Sequence, residues 1–149
     1  MGAAFGTWSK LVADCKFCHI DRALAVHETA ECLVFLDYRP VFPGHCLVIP
    51  KEHYETLADL PAALIPSLFT EVQLVSRAVE SALGAEGSFV AINNKVSQSV
   101  PHLHVHVVPR RRKDGLKGFF WPRQSYRDET HIAEVRDLLR AALPSTMKL

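Results

Sequence analysis

Three histidines alternate with aliphatic residues in the last third of the chain. His102, His104 and His106 are each separated by a single leucine or valine. Alternate side chains of a β-strand project from the same face, so the three imidazoles are expected together on one face, with the aliphatic residues between them facing the core. Each ring nitrogen needs a hydrogen-bond partner, so three imidazoles on one face indicate a chemical role.

Two kinds of chemistry fit this spacing. Three histidines can bind one metal ion, as they do in catalytic zinc sites. Alternatively, the central imidazole, His104, can act as a nucleophile while its neighbours set its tautomer and charge. The alternation alone does not choose between the two.

A pair of cysteines near the N-terminus forms a second candidate site. Cys15 and Cys18 precede His19, so the segment also matches the Cys-x-x-Cys-His pattern of c-type haem attachment. Haem attachment requires export, and the residues from Met1 to Asp14 contain no apolar run of signal-peptide length. A thioredoxin-like redox pair would lack its usual βαβ setting. The pair can be two inert free thiols or two thiolate ligands of a zinc ion, and we expect the zinc site, which needs two further ligands to complete a tetrahedron.

Apolar patterning predicts the elements that hold these residues. Short runs rich in β-branched and aromatic residues predict four strands, at 32–37, 46–49, 88–93 and 103–108. Apolar residues at three- and four-residue steps predict a long helix from Leu64 to Gly84. A short helix is expected over 130–143, with its leucines toward the core. This order of elements predicts an α+β fold with an antiparallel sheet.

Composition indicates a single globular domain over residues 1–149, with 1–14 as an N-terminal extension and 110–149 as a C-terminal tail. Of the 149 residues, 48% are hydrophobic and 22% are charged. Seventeen basic and sixteen acidic residues give a net charge of +1, which argues against a nucleic-acid partner. No apolar run approaches the roughly 18–20 residues of a membrane span. Four cysteines are too few for a disulfide scaffold, so we expect a cytoplasmic protein.

Four segments, in order, resemble the histidine triad (HIT) nucleotide-binding family, closest to its bacterial-type members with an N-terminal Cys-x-x-Cys. They are Cys15–Cys18, Phe35–Asp37, Pro43–His53 and Gln98–Val108, the last of which contains the signature His-φ-His-φ-His-φ-φ, where φ is apolar. The resemblance covers nearly the whole domain. It implies the HIT-like fold, an antiparallel sheet with one long helix and a short C-terminal helix. It also implies a homodimer that pairs through the long helix and the sheet edge.

The resemblance implies a nucleotidyl hydrolase or transferase acting at the α-phosphate of purine nucleoside phosphoramidates or adenylates. His104 would take the nucleoside monophosphate as a covalent intermediate, which water then releases. The donors to the phosphoryl oxygens in the family are matched here by His45, Gln98, Ser99 and His106.

Further roles follow from the same matches. Asp37 matches the carboxylate that holds the ribose hydroxyls, and Asn93 matches an asparagine beside the phosphate or ribose. In zinc-bearing members, the histidine after Pro-Lys-x and the first triad histidine complete the metal site. Here these are His53 and His102, which would close a structural Cys2His2 zinc site and fix one edge of the catalytic segment. No organic cofactor is implied.

Three other functions stay open. The chain could cleave dinucleoside polyphosphates, it could be a nucleotide-binding regulatory or scaffold protein, or it could be a hydrolase with one metal on the three histidines. The loop 94–97 is shorter than in many relatives, and Ser97 stands where glycine often precedes the glutamine, so the leaving-group preference is open as well. The basic run 110–113 could grip a polyphosphate or simply form a solvated edge, and Trp121 could contact the leaving group.

Overall fold

The computed structural model of the chain describes residues 12–116 and 124–142. Trp121 and the end of the C-terminal segment lie outside these ranges. The chain divides into two units, residues 1–114 and 115–149. The first contains five strands and a long helix: β1 (Ala25–Glu28), β2 (Cys32–Leu36), β3 (Cys46–Pro50), α1 (Ile65–Leu83), β4 (Gly87–Ile92) and β5 (Val105–Arg110). Single turns of 3-10 helix lie at Arg22–Leu24, Leu57–Asp59 and Ala62–Leu64.

The five strands form one antiparallel sheet in the order β1-β2-β3-β5-β4. The predicted α+β fold with an antiparallel sheet, one long helix and a short C-terminal helix is confirmed. The edge strand β1 was not predicted from the sequence. Its four residues are all exposed, so it lacks the alternation of buried and exposed positions that marks a half-buried strand.

Each face of the sheet carries its own apolar cluster. On one face, Leu68, Val72, Val75 and Val79 of α1 belong to a buried core with residues of β2, β3 and β5. Their three- and four-residue spacing is that of one face of a helix. The helix ends at Gly84, which adopts the left-handed conformation that glycine allows without a Cβ clash. On the opposite face, a short N-terminal segment packs on β2 and β3 through Phe17, Ile20 and Leu24.

The histidine segment begins before its strand does. β5 starts at Val105 rather than at Leu103, because the backbone N–H of Leu103 donates to the carbonyl of Tyr54 at 2.6 Å instead of to a neighbouring strand. The alternation nevertheless extends upstream of the strand. Leu103, Val105 and Val107 all lie in the core under α1, so the histidines between them are directed to the opposite face of the sheet.

The turn before His45 leaves no room for a side chain at Gly44. Gly44 has φ +94°, and a Cβ built there would lie 2.3 Å from Cδ1 of Leu83. Gly44→Ala is therefore expected to lower the free energy of unfolding by about 1–3 kcal/mol, through strain and overpacking. Urea denaturation measures the change. Gly87→Ala is the matched control, because a Cβ at Gly87 meets nothing within 4 Å. Equal stability of the two variants would contradict the prediction.

The second unit contains a single helix in its described part, α2 (Glu129–Ala142). Asp128 precedes it, and its carboxylate accepts from the N–H of His131 at 2.8 Å, an N-terminal capping contact. None of the residues of α2 is buried. The sequence analysis expected the leucines of this helix to face the core, and that expectation is wrong for the leucines within α2. No helix in the described ranges is long and apolar enough to cross a membrane.

Candidate active site and metal site

Four side chains from three separate segments converge on one point. The Sγ of Cys15 lies 3.4 Å from Nδ1 of His102, and the Sγ of Cys18 lies 3.5 Å from Nδ1 of both His53 and His102. All four ligand atoms lie within 4.8 Å of one another. A tetrahedral zinc ion with Zn–S near 2.3 Å and Zn–N near 2.0–2.1 Å holds sulfur and nitrogen about 3.5 Å apart. The four side chains therefore fit a tetrahedral ion, as the sequence analysis predicted.

The hydrogen bonds of His102 prepare it to be a ligand. Its Nε2 lies 2.8 Å from the carbonyl oxygen of Pro50, so Nε2–H donates there and the Nδ1 lone pair faces the two sulfurs. Burial lowers the pKa of His102 to about 4, which keeps the ring neutral. Burial, reinforced by Cys15, raises the pKa of the Cys18 thiol to about 12. A bound cation would relieve that cost, since it stabilises thiolates directly.

One ring nitrogen of His104 is engaged with the backbone, and the other is free for chemistry in the pocket. His104 is only 3% exposed, and its Nδ1 lies 2.6 Å from the carbonyl oxygen of His102. A carbonyl can only accept, so Nδ1 carries the proton and Nε2 keeps its lone pair. Burial lowers the pKa of His104 from its usual 6.5, so this lone pair is not protonated at neutral pH.

His45 and His106 form a directional chain of hydrogen bonds beside His104. The N–H of Val41 donates to Nδ1 of His45 at 3.2 Å, so His45 must carry its proton on Nε2. That Nε2–H donates to Nδ1 of His106 at 3.0 Å, which leaves His106 with its own proton on Nε2. The Nε2 of His106 is buried and has no hydrogen-bond partner among the residues that the structure describes. A buried, unpartnered donor next to a nucleophile is suited to an anion, such as a phosphoryl oxygen.

These neutral imidazoles make folding sensitive to acid. Burial, and then the neighbouring His104 and His45, lower the pKa of His106 to about 4, against 6.5 for an ordinary histidine. The unfolded chain thus binds a proton at this residue at a higher pH than the folded chain does. His106 therefore contributes to the free energy of unfolding fully above pH 6.5, and this contribution, roughly 2–3 kcal/mol, is lost as the pH falls toward 4. Urea denaturation between pH 7 and pH 4 should show a smaller loss in His106→Asn, and an identical loss in both proteins would contradict this assignment.

Asp37 lies at the end of β2, where the chain turns toward His45. One oxygen of its carboxylate accepts from the N–H of Arg39 at 2.9 Å, and the other lies 3.7 Å from Nδ1 of His45. The second oxygen is therefore available to a ligand. The side chain is 19% exposed, and it opens toward the same pocket as His104.

An open pocket of about 410 Å³ joins these groups. We call it the His104 pocket. Its polar end is formed by Asp37, Ser99, His104 and His106, and its apolar wall by Phe17, Ile20, Leu24, Phe35 and Leu47. An apolar slot suits a flat ring, a carboxylate suits a vicinal diol, and the histidine end suits a phosphoryl group. The arrangement can hold a nucleotide with its phosphate against Nε2 of His104.

Two predicted substrate-binding residues do not line this pocket. The side chain of Gln98 bonds to backbone groups of two segments: Nε2 donates to the carbonyl of Glu55, which follows β3, at 2.6 Å, and Oε1 accepts from the N–H of Lys95, in the loop of Gln98, at 2.7 Å. These bonds hold a loop in which Lys95 and Ser97 both adopt positive φ values near 60°. Asn93 is also absent from the pocket lining. Their predicted roles at the substrate have no support from this geometry.

Side chains of the basic run after β5 are engaged in structural contacts. Arg110 forms a two-bond pair with Asp114, at 2.6 and 3.0 Å. Arg111 donates to the carbonyls of Leu83 and Gly84 at the end of α1. Such contacts with terminal carbonyls stabilise a helix end. The structure favours the interpretation of this run as an edge of the fold over a polyphosphate grip.

The three triad histidines do not share a metal site. In the described ranges, the groups able to hold an ion are the Cys15, Cys18, His53 and His102 set and a second set of Asp37, His45 and His106. His102 belongs to the first set and His106 to the second, while the Nδ1 of His104 is committed to a backbone carbonyl. The arrangement opposes one catalytic metal on all three rings.

Comparison with known proteins agrees with the sequence motifs. The family model described as HIT domain matches residues 21–113. Adenylylsulfatase HINT3 of Arabidopsis thaliana is 36% identical over 125 residues, which are 80% of this chain and 61% of that protein. The asymmetrical bis(5'-nucleosyl)-tetraphosphatase of Schizosaccharomyces pombe is 37% identical over 90 residues, 59% of this chain and 50% of that protein. The chain thus spans between half and two thirds of the length of these two relatives.

A solved structure shares the fold and is itself described as zinc-bound. The structure described as a Zn-bound histidine triad family protein from Mycobacterium smegmatis has a TM-score of 0.65 and 36% sequence identity. The match covers 87% of this chain and 99% of that one.

Proposed function

The chain belongs to the HIT domain family, and we propose that it is a nucleotidyl hydrolase acting at the α-phosphate of purine nucleoside phosphoramidates or adenylates. One observation carries the proposal. The deprotonated Nε2 of buried His104 faces a pocket that also holds a carboxylate, Asp37, and an unpartnered donor, His106. His104 would act as the nucleophile, Asp37 would bind the ribose, and His106 would donate to a phosphoryl oxygen.

The proposed first step forms a bond from Nε2 of His104 to the α-phosphorus, while the bond from phosphorus to the leaving group breaks and its electron pair goes to the leaving group. A phosphoramidate nitrogen takes a proton from water in the open pocket and leaves as the amine, whereas the sulfate of an adenylate leaves as the anion. The carbonyl of His102, which accepts from Nδ1–H at 2.6 Å, stabilises the positive charge that develops on the ring. The Nε2–H of His106 donates to a phosphoryl oxygen. Asp37 holds the ribose, so that the phosphorus lies near the nucleophile.

In the second step, water attacks the phosphorus, gives up a proton to the solvent in the open pocket, and displaces His104 by breaking the P–N bond, whose electron pair returns to Nε2. A phosphorus–imidazole bond is labile because the protonated ring is a good leaving group. The nucleoside monophosphate departs, and His104 returns to its starting tautomer because its Nδ1–H never leaves the carbonyl of His102.

Relative rates test the substrate class. Steady-state rates of AMP release from adenosine 5′-phosphoramidate, adenylyl sulfate and diadenosine tetraphosphate would be compared for the purified protein. We expect the first two to be cleaved with kcat/KM at least tenfold above the third. The reverse order would replace the proposal with the dinucleoside polyphosphatase.

One observation favours that second candidate. Lys16 and Arg39 line the His104 pocket, and neither forms an ion pair with any of the described residues. Two such cations can attract a polyphosphate chain. The named activity of the Schizosaccharomyces relative points the same way.

Zinc and a second copy of the chain complete the proposal. Cys15, Cys18, His53 and His102 would hold zinc in a structural role, supported by their fit to a tetrahedral ion. A homodimer through α1 and the edge strand β4 is supported by exposed apolar side chains on both, including Phe69, Leu74 and Val90. Light scattering after gel filtration would test the dimer. Free thiols at all four cysteines suit a reducing, cytoplasmic setting.

A further inference from the structure

Phe17, one of the two residues between Cys15 and Cys18, contacts both the metal cluster and the His104 pocket. The ring of Phe17 lies edge-on to the ring of His104, with centroids 5.1 Å apart and planes at 84°. It lies 6.2 Å from the ring of His102 and 5.3 Å from that of Phe35. Phe17 therefore contacts the proposed nucleophile, a ligand of the metal cluster and the wall of the His104 pocket at once. The sequence analysis assigned no role to this residue.

The position of Phe17 depends on the two sulfurs that flank it. Phe17 directly precedes Cys18 and follows Cys15 by two residues, and both sulfurs lie in the four-ligand cluster. The contacts of these thiols with His53 and His102, at 3.4–3.5 Å, are weak compared with metal–sulfur bonds of about 2.3 Å. A bound ion would therefore fix both ends of a four-residue turn, and with them the ring that the turn carries.

The same ring supplies a large part of the apolar wall. Phe17, Ile20 and Leu24 come from a segment that has no regular secondary structure around Phe17 and packs on Leu33, Phe35, Leu47 and Ile49 of the sheet. When the wall is already held in place, nucleotide binding does not have to order it, so binding costs less conformational entropy. Metal occupancy at the cluster thus bears directly on the affinity of the pocket.

We propose that Phe17 is a positioning residue that couples metal binding at the Cys15, Cys18, His53 and His102 cluster to nucleotide binding in the His104 pocket. This proposal rests on the proposed nucleotide site. The coupling is positive and reciprocal. The metal tightens the nucleotide, and the nucleotide tightens the metal by the same factor.

Zinc affinity with and without AMP tests the proposal. The zinc Kd of the full chain would be measured by competition with a chromophoric chelator, in the absence of AMP and at saturating AMP. Calorimetry would give the Kd for AMP of the zinc-loaded and zinc-free proteins. We expect AMP to lower the zinc Kd by about fivefold or more, and zinc to lower the AMP Kd by the same factor. Circular dichroism would record whether each form is folded.

Variants assign the coupling to the ring. Phe17→Ala should reduce both factors to less than twofold, and Phe17→Leu, which keeps apolar bulk, should retain part of the coupling. Tyr126→Ala is the matched control and should keep the factor of the unmodified protein, because Tyr126 is an exposed aromatic residue outside both the His104 pocket and the metal cluster.

Each outcome decides between the alternatives. Coupling that persists in Phe17→Ala would overturn the role of Phe17 and assign the link to the backbone of His102 or to global folding. Tight binding of both ligands with no coupling in the unmodified protein would overturn the proposal while leaving the nucleotide site intact. Absence of AMP binding to either form would overturn the nucleotide site and the coupling together.

Discussion

His104→Ala is expected to abolish the release of AMP from adenosine 5′-phosphoramidate, with a fall in kcat on the order of 10⁴-fold or more. The reason is that Nε2 of His104 is the one triad nitrogen whose lone pair faces the pocket. Nδ1 of the same ring donates to the carbonyl of His102, and Nδ1 of His106 accepts from His45. No other ring can take over the bond to phosphorus without a change of tautomer.

The measurement combines product analysis with intact mass. AMP release would be followed by chromatography, and the protein mass would be recorded within the first turnovers to detect an added nucleoside monophosphate. His131→Ala is the control, since His131 is a partly exposed histidine of α2 and does not line the pocket. AMP release by His104→Ala within tenfold of the unmodified protein would remove His104 as the nucleophile.

A second variant separates catalysis from binding. His104→Asn keeps a polar side chain at the position while removing the nucleophile. If the protein acts as a nucleotide-dependent scaffold, this variant should bind AMP and retain cellular function without turnover. If the activity itself is the function, binding should persist and cellular function should be lost.

Local periodicity predicted the part of the site that local geometry controls. The two-residue alternation of the histidine segment was sufficient to place Leu103, Val105 and Val107 in the core, because alternation is a property of extended backbone wherever its hydrogen bonds go. The helix α1 was predicted for a similar reason. The strand β1 was missed because its stability comes from pairing with β2 rather than from burial of its own side chains.

The convergence of distant residues could not be predicted from periodicity. Cys15 and His102 are 87 residues apart, and only the resemblance to a family supplied the second half of the metal cluster. The role transferred to Gln98 stays a prediction, since its side chain bonds to the backbone of Lys95 and Glu55 and does not line the pocket. Phe17 had no signal of its own, since an apolar residue between two cysteines is indistinguishable from an ordinary core residue until its neighbours are known.

Removal of the metal is expected to lower the stability of the unmodified protein by at least about 3 kcal/mol, which for a chain of this size corresponds to a fall in Tm of roughly 6–12 °C. Without an ion, the cluster leaves two thiols and two imidazoles together in a mostly buried region, where their mutual contacts are weak. The cluster also joins the N-terminal segment to His53 after β3 and to His102 before β5. Its loss would therefore release the segment that covers the second face of the sheet.

Thermal denaturation with and without a strong chelator, together with zinc content by mass spectrometry, measures this effect. We expect one zinc per chain and a Tm that falls on chelation.

Cys18→Ser should start at the lower Tm and show no further response to chelator. Cys46→Ser is the matched control: Cys46 is a buried cysteine that forms no disulfide and lies outside the cluster, so this variant should remain sensitive to chelator. A Tm that does not change on chelation of zinc-loaded protein would contradict a structural metal. If turnover at saturating substrate survives chelation below the new Tm, the ion stabilises the fold and takes no part in the reaction, because His104 needs only the carbonyl of His102 to hold its tautomer.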